Sequence, residues 1–166
     1  MCIRDSKLTA QYYALIEIGG AYAYKFIPFV NFLGVPCLIL TDIDSMIDGR
    51  TKAVVSEGKT TSNSTLKWLM RKIKSLPEKD KSKIDLADII ALTAEQKTYG
   101  KCHIEFQTKE NELCGRSLEE AIKNVNRNHY GLTGKVTEDL LKFEEKSKTD
   151  FALNLILSLI HISEPT

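Results

Sequence analysis

The feature that most limits the possible folds is the run Pro36-Cys37-Leu38-Ile39-Leu40-Thr41, which leads directly into Asp42-Ile43-Asp44-Ser45. A short continuous apolar run ended by turn residues reads as a strand buried on both faces, the condition of strands in a parallel sheet. Helices must then flank that sheet, so the chain is expected to be α/β. Upstream, residues 12–18 are rich in β-branched and aromatic side chains and stop at Gly19-Gly20, which predicts another strand. Between the two, Tyr22, Phe26, Phe29, Val30 and Leu33 keep helical spacing. Pro28 must kink that helix or begin its second half, and Gly34 ends it. Strand, helix and strand in this order predict a right-handed βαβ crossover.

The rest of the chain continues the alternation. Residues 52–56 suit a short strand. Residues 62–74 predict an amphipathic helix with Leu66, Leu69, Met70 and Ile73 on one face and Lys67, Arg71 and Lys74 on another. A polar, proline-containing linker follows at 76–83, then a short helix at 86–92 and a strand at 102–107. Helices are expected at 117–126 and 138–146, joined by a loop at 131–134, and again from residue 151 onward. No internal repeat is visible. The longest apolar stretch, 151–162, is too short for a membrane span and is interrupted by Asn154 and His161. No apolar segment of the signal-peptide kind opens the sequence.

Asp42 and Asp44 are the most informative residues. On an extended chain, positions i and i+2 project to the same side, here at the C-terminal end of a central strand, where open α/β sheets bind ligands. Two carboxylates about 4 Å apart repel by roughly 4 kcal/mol at an effective dielectric of 20. A divalent cation removes that penalty, and oxygen ligands suit Mg2+ or Mn2+. A solvated turn with N-capping aspartates is the plainer alternative. The four cysteines, at 2, 37, 102 and 114, show no two-residue spacing, so reduced thiols in a cytoplasmic protein are expected.

Several blocks together carry a family resemblance. They are Ile16-Glu17-Ile18-Gly19-Gly20-Ala21-Tyr22, then Phe32-Leu33-Gly34-Val35-Pro36, then Thr41-Asp42-Ile43-Asp44-Ser45. Thr61-Ser62-Asn63-Ser64-Thr65, Cys114-Gly115-Arg116-Ser117-Leu118-Glu119-Glu120-Ala121 and Lys148-Thr149-Asp150-Phe151-Ala152-Leu153 follow in order. Over about residues 12–157 the chain resembles the TOPRIM domain of OLD-family (overcoming lysogenization defect) ATP-dependent nucleases. The resemblance implies a TOPRIM-like, mostly parallel sheet flanked by helices and a metal-dependent DNA endonuclease or nickase. It implies Asp42 and Asp44 as metal ligands, Glu119 or Glu120 as a further acidic residue, and Lys148 near the scissile phosphate. It also implies an N-terminal ABC-type ATPase domain, a homodimer or higher assembly, and a role in phage defence for the intact protein. The family's first strand and its EGxxE motif are absent, and Glu17, inside a strand before Gly-Gly, is not their equivalent. The fragment alone is therefore expected to be inactive or nearly so. Met1–Ser6 and the segment 158–166 resemble translated sequencing adapters, which leaves 7–157 as a partial domain.

The overall net charge of +1 excludes a wholesale basic coat, yet residues 50–83 hold ten basic side chains against three acidic ones. Such a block beside an acidic site suits the DNA backbone. Lys67, Arg71 and Lys74 are candidate DNA contacts. Ser62 and Asn63, before the helix, either cap it or present donors to a phosphate. His103 and His129 stand apart from the cysteines and read as structural or surface residues. Two other readings compete: a non-catalytic DNA- or partner-binding module, and a haloacid-dehalogenase-like phosphatase in which Asp42 is the nucleophile and Asp44 the acid/base.

Overall fold

The computed structural model describes residues 12–77, 84–142 and 150–153. In chain order the elements are a 3-10 helix at Gly20–Lys25, α1 (Ile27–Leu33), β1 (Cys37–Leu40), β2 (Ser45–Met46), β3 (Thr60–Thr61), α2 (Ser64–Ile73), α3 (Leu86–Ile90), β4 (Thr98–Tyr99), β5 (Cys102–Glu105), β6 (Lys109–Glu110), β7 (Leu113–Cys114), α4 (Leu118–Val125) and α5 (Glu138–Leu141). Residues 150–153 are helical. The principal sheet has the order β1-β5-β4. β1 and β5 run parallel, with Cys37 opposite Cys102 and Leu40 opposite Glu105. β4 adds antiparallel to β5. Two small antiparallel pairs, β2–β3 and β6–β7, complete the strands. The fold is thus α/β with a parallel pair flanked by helices, as expected.

The apolar run does become a strand, but it is not buried on both faces. Leu38 is 60% and Leu40 72% exposed, while Cys37 and Ile39 turn toward the core. The neighbours opposite the exposed pair are His103 and Glu105, so this face of the sheet is half-polar and only the other carries the core. Residues 12–18 form no strand. Tyr12 and Leu15 are almost fully exposed. Strand propensity needs a neighbouring strand to become structure, and the β1 ladder is formed with β5 alone among the described residues.

The helix expected around Pro28 divides in two. Pro28 lies in the first turn of α1, where its missing N–H breaks no bond. Gly34 closes α1 with a left-handed φ of 68°. The buried side chains of this segment are Ala23 and Ile27, whereas Tyr22, Phe26, Phe29 and Leu33 are largely exposed. α2 forms as the spacing predicts and buries Leu66, Leu69 and Met70. These pack with Ile27, Ile43, Leu86, Ile89, Cys102, Ile104 and Phe106 into one core. Trp68 lies beside Tyr24, with ring centroids 6.3 Å apart, and meets Tyr99 edge-on at 5.0 Å.

Residues 52–56 form one isolated bridge, Lys52 to Met46, and otherwise a loop with Ala53, Val54 and Val55 buried. Most of the linker at 76–83, the second half of the helix expected at 138–146, and the apolar stretch after residue 153 lie outside the described residues. So do the terminal segments 1–6 and 158–166. No helix among the described residues is long and apolar enough to cross a membrane.

Candidate active site

The two strands that pair in parallel end side by side, and the site lies just past them. Thr41 N donates to Glu105 O at 3.0 Å, extending the ladder by one bond. One residue further the chain leaves the sheet and presents Asp42. Oδ1 of Asp42 accepts from Gln107 Nε2 at 2.6 Å and from Leu118 N, in the first turn of α4, at 3.0 Å. Burial is the largest influence on this carboxyl and pushes its pKa above the ordinary value. The Gln107 bond opposes that shift, the nearby charges of Asp44 and Glu119 reinforce it, and the Leu118 bond opposes it.

Asp44 joins the site by a route different from the expected one. Its φ of 49° is left-handed, so residues 42–44 are not an extended strand and the i, i+2 alternation does not govern them. Two flanking loops hold it instead. Asp44 N donates to Arg116 O at 3.1 Å, and Asp44 O accepts from Ser62 N at 3.0 Å. Its carboxylate stands 3.6 Å from the Arg116 guanidinium. Asx side chains tolerate this backbone conformation better than most.

Glu119 and Glu120 take different roles. Ser117 caps α4, its Oγ accepting from Glu120 N at 3.5 Å. Glu120 is buried and its Oε2 accepts from Arg116 N at 2.9 Å. It is therefore spent on the turn that precedes the helix, much as in a capping box. Glu119 is half-buried, and its charge is the one that reaches Asp42. Of the two glutamates, it is the one placed to act with the aspartates.

Asn63, a candidate DNA contact in the sequence, is buried at the N-terminus of α2. It is 1% exposed and fully occupied. Oδ1 accepts from Thr65 N and Leu66 N at 2.9 and 3.2 Å, and Nδ2 donates to Thr41 Oγ1 at 2.7 Å and to Asp42 O at 2.8 Å. It caps α2 and ties that helix to the end of β1. Ser62 is exposed, and its Oγ lies 3.4 Å from Asp44 O. On α2, Lys67 and Arg71 are neighbours; burial and then Arg71 pull the Lys67 pKa down. Lys74 is already engaged, in an ion pair with Asp88 at 2.5 Å. Lys72 lies over the Trp68 ring at 5.7 Å. Lys148 lies outside the described residues, as do Lys79, Lys81 and Lys83.

The described histidines and cysteines sit in local contacts. His103 bridges Thr98 and Glu105, with 2.7 Å to Thr98 Oγ1 and 2.8 Å to Glu105 Oε1. His129 meets Tyr130 edge-on at 5.0 Å. Cys37, Cys102 and Cys114 are free thiols. Burial pushes Cys102 and Cys114 up to about 11, which suits inert packing.

Sequence reasoning missed Gln107 and Arg116. Gln107 has no motif of its own. Its signal is the register: Leu40 opposite Glu105 puts position 107 opposite position 42, and that pairing becomes visible only in the folded sheet. Arg116 lies within the quoted Cys114-Gly115-Arg116 block but carries no sign of being folded back toward Asp44.

Among the described residues, no three His, Cys, Asp or Glu side chains stand close enough together to hold a metal ion. The donors that do approach one another are all carboxylate oxygens, whose chemistry fits a hard divalent cation. Asp42 and Asp44 lie just past the ends of the parallel strands, the place where open α/β sheets commonly bind ligands. Residues 2–44 match the family model described as overcoming lysogenization defect protein-like, TOPRIM domain. The match covers the segment through β1 and both aspartates and supports the resemblance drawn from the sequence. No curated protein and no solved structure matches the chain.

Proposed function

We propose that the chain is the catalytic portion of a divalent-metal-dependent DNA endonuclease or nickase of the OLD-like TOPRIM kind. The observation that carries this reading is the place of Asp42, half-buried just past the parallel pair and pinned by Gln107 and Leu118, with Asp44 two residues on. Repulsion between the two carboxylates is costly without a cation. Asp42 and Asp44 would be ligands to Mg2+ or Mn2+, with Asp44 exchanging its Arg116 partner for the ion. Bound there, the metal would supply an activated water and charge neutralisation on the phosphate. Arg116, released from Asp44, would face the same phosphate. Lys67 and Arg71, neighbours on α2, would meet the DNA backbone, and Lys148 would neutralise charge in the transition state. In the intact protein an N-terminal ABC-type ATPase domain and a dimeric or larger assembly would accompany this domain, in a phage-defence role.

Calorimetric titration with Mn2+ tests the reading. Weak binding is expected, and Asp42→Asn and Asp44→Asn should each weaken it further. Plasmid nicking in Mn2+ should be feeble for this chain, with Asp42→Asn abolishing it. Mn2+ binding unchanged in both aspartate variants would refute the assignment.

A further inference from the structure

We propose that Cys37 and Cys102 form a redox switch: a hydroperoxide converts the two thiols into a disulfide that staples β1 to β5, and a thiol reductant opens it again. The inference stands apart from the metal-dependent reading and uses two side chains which that reading leaves idle.

The register brings the pair together. β1 and β5 run parallel, and Cys37 stands directly opposite Cys102. Residues opposite one another on neighbouring strands project to the same face of a sheet. Here that face is the core side, where Cys102 is fully buried and Cys37 packs against the same cluster. Neighbouring strands lie about 4.8 Å apart, inside the roughly 4.4–6.8 Å between Cα atoms that disulfides span. A disulfide draws its Cβ atoms to about 3.8 Å, closer than the strand spacing, so a bond here carries some strain, and strained disulfides are the readily reduced ones. Both thiols are free. Cys114, the third described cysteine, is engaged elsewhere, its Sγ 3.7 Å from Gln107 O and from Gly115 O.

Exposure divides the work between the two sulfurs. Cys102 is 0% exposed, and burial first, then the adjoining Cys37 thiol, push it up to about 11. It stays protonated and meets no reagent from solution. Cys37 is partly exposed and is the sulfur that a peroxide reaches. Its thiolate attacks one peroxide oxygen, the O–O bond breaks, and a sulfenic acid and, with the thiol's own proton, water result. Cys102 Sγ then attacks Cys37 Sγ: the S–S bond forms, the S–O bond breaks, and the departing hydroxide takes the Cys102 proton as water. The two thiols give up two electrons and two protons, which turn one hydrogen peroxide into two waters. A thiol reductant reverses the change by exchange and is itself oxidised to a disulfide. The staple lies at the starts of the two strands, the ends away from Asp42, and closes a loop that contains α2, α3 and β4. Closing so long a loop removes freedom from the unfolded chain, so the oxidised form is the more stable.

The test uses the full chain and hydrogen peroxide. After brief treatment, tryptic digestion without reductant should yield peptides 26–50 and 102–109 joined through their cysteines. Both thiols should return with dithiothreitol, and the oxidised protein should melt several degrees above the reduced one. In Cys102→Ala the sulfenic acid at Cys37 has no partner, so it should accumulate as a dimedone adduct that the parent barely forms. In Cys37→Ser, Cys102 should stay reduced. Cys37 joined to Cys2 or Cys114 in place of Cys102 overturns the inference. So does dimedone labelling of Cys37 as strong in the parent as in Cys102→Ala, or a Cys37 that stays reduced while free cysteine in the same tube is oxidised. A joined pair that melts no higher than the reduced protein would overturn the staple. The peptide map is read on the parent, so the inference stands or falls there even where a variant fails to fold.

Discussion

Asn63→Ala should be among the most damaging single changes on the site's scaffold. The side chain is 1% exposed and makes four hydrogen bonds. Two of them, to Thr65 N and Leu66 N, cap α2, and loss of an N-cap costs about 1 kcal/mol. The other two run to Thr41 Oγ1 and Asp42 O. Each contributes about 1 kcal/mol net, and a buried acceptor left without a donor costs at least that much. The sum is about 3 kcal/mol. Asn63→Ser retains the capping oxygen and loses only the two bonds to the end of β1, so it should cost about 2 kcal/mol. Trp68, the single tryptophan, lies on α2 between Tyr24 and Tyr99 and reports unfolding directly. Urea titrations followed by its fluorescence should order the proteins parent, Ser variant, Ala variant. A loss below about 0.5 kcal/mol in Asn63→Ala would mean that these bonds contribute no more than water does, against the value expected for a buried cap. Equal stability of parent and Asn63→Ser would remove the tie between α2 and β1 from the account of the site.

A methyl group at Gly115 would lie 2.6 Å from Ala121 N and 2.9 Å from the Glu120 carbonyl carbon. These are backbone atoms of α4, so Gly115→Ala should cost about 3 kcal/mol and weaken Mn2+ binding by displacing the Leu118 donor. Gly34→Ala meets nothing within 4 Å and carries only the cost of its left-handed φ, about 1 kcal/mol; thermal melts that rank the two equally would contradict the packing around Gly115. Asp42→Asn should stabilise the fold at neutral pH. Burial raises this carboxyl in the folded state, so its ionisation works against folding; the gain should vanish as pH falls below the ordinary carboxylate range, and melting curves in which the variant is less stable at pH 7 would refute it. Glu105 has the opposite sign. Its Lys97 bond, with help from His103, holds its carboxyl below the usual range against some burial. Its contribution is present above the unfolded carboxylate pKa and lost as pH falls through the folded one. Glu105→Gln should therefore lower the melting temperature at pH 7 but not at pH 3, and a gap independent of pH would exclude the ionic account.

Local features with local causes were legible in the sequence. The apolar run became β1, Gly34 and Pro28 bounded α1, and the spacing of Leu66, Leu69 and Met70 identified the buried face of α2. These follow from side-chain period and backbone preference within a few residues, which is all that a linear pattern encodes. The α/β class followed from the same patterns. The aspartates were visible because they come directly after the strand.

What the linear pattern misjudged depends on distant neighbours. Residues 12–18 have strand chemistry but pair with no strand among the described residues, and β1 turns one face to the core while Leu38 and Leu40 stay largely exposed on the other. Asn63 takes the capping role, one of its two readings in the sequence, and Glu120 is spent on the turn before α4, since a polar side chain in a buried place goes to the nearest backbone group. Gln107 looks like nothing in the sequence and becomes the partner of Asp42. The sequence by itself determined which residues could carry charge and which segments could form strands and helices. Only the tertiary structure decided which of them meet, because the parallel register of β1 with β5 brings residues 42 and 107 together across 65 positions of chain, and no local preference carries that distance.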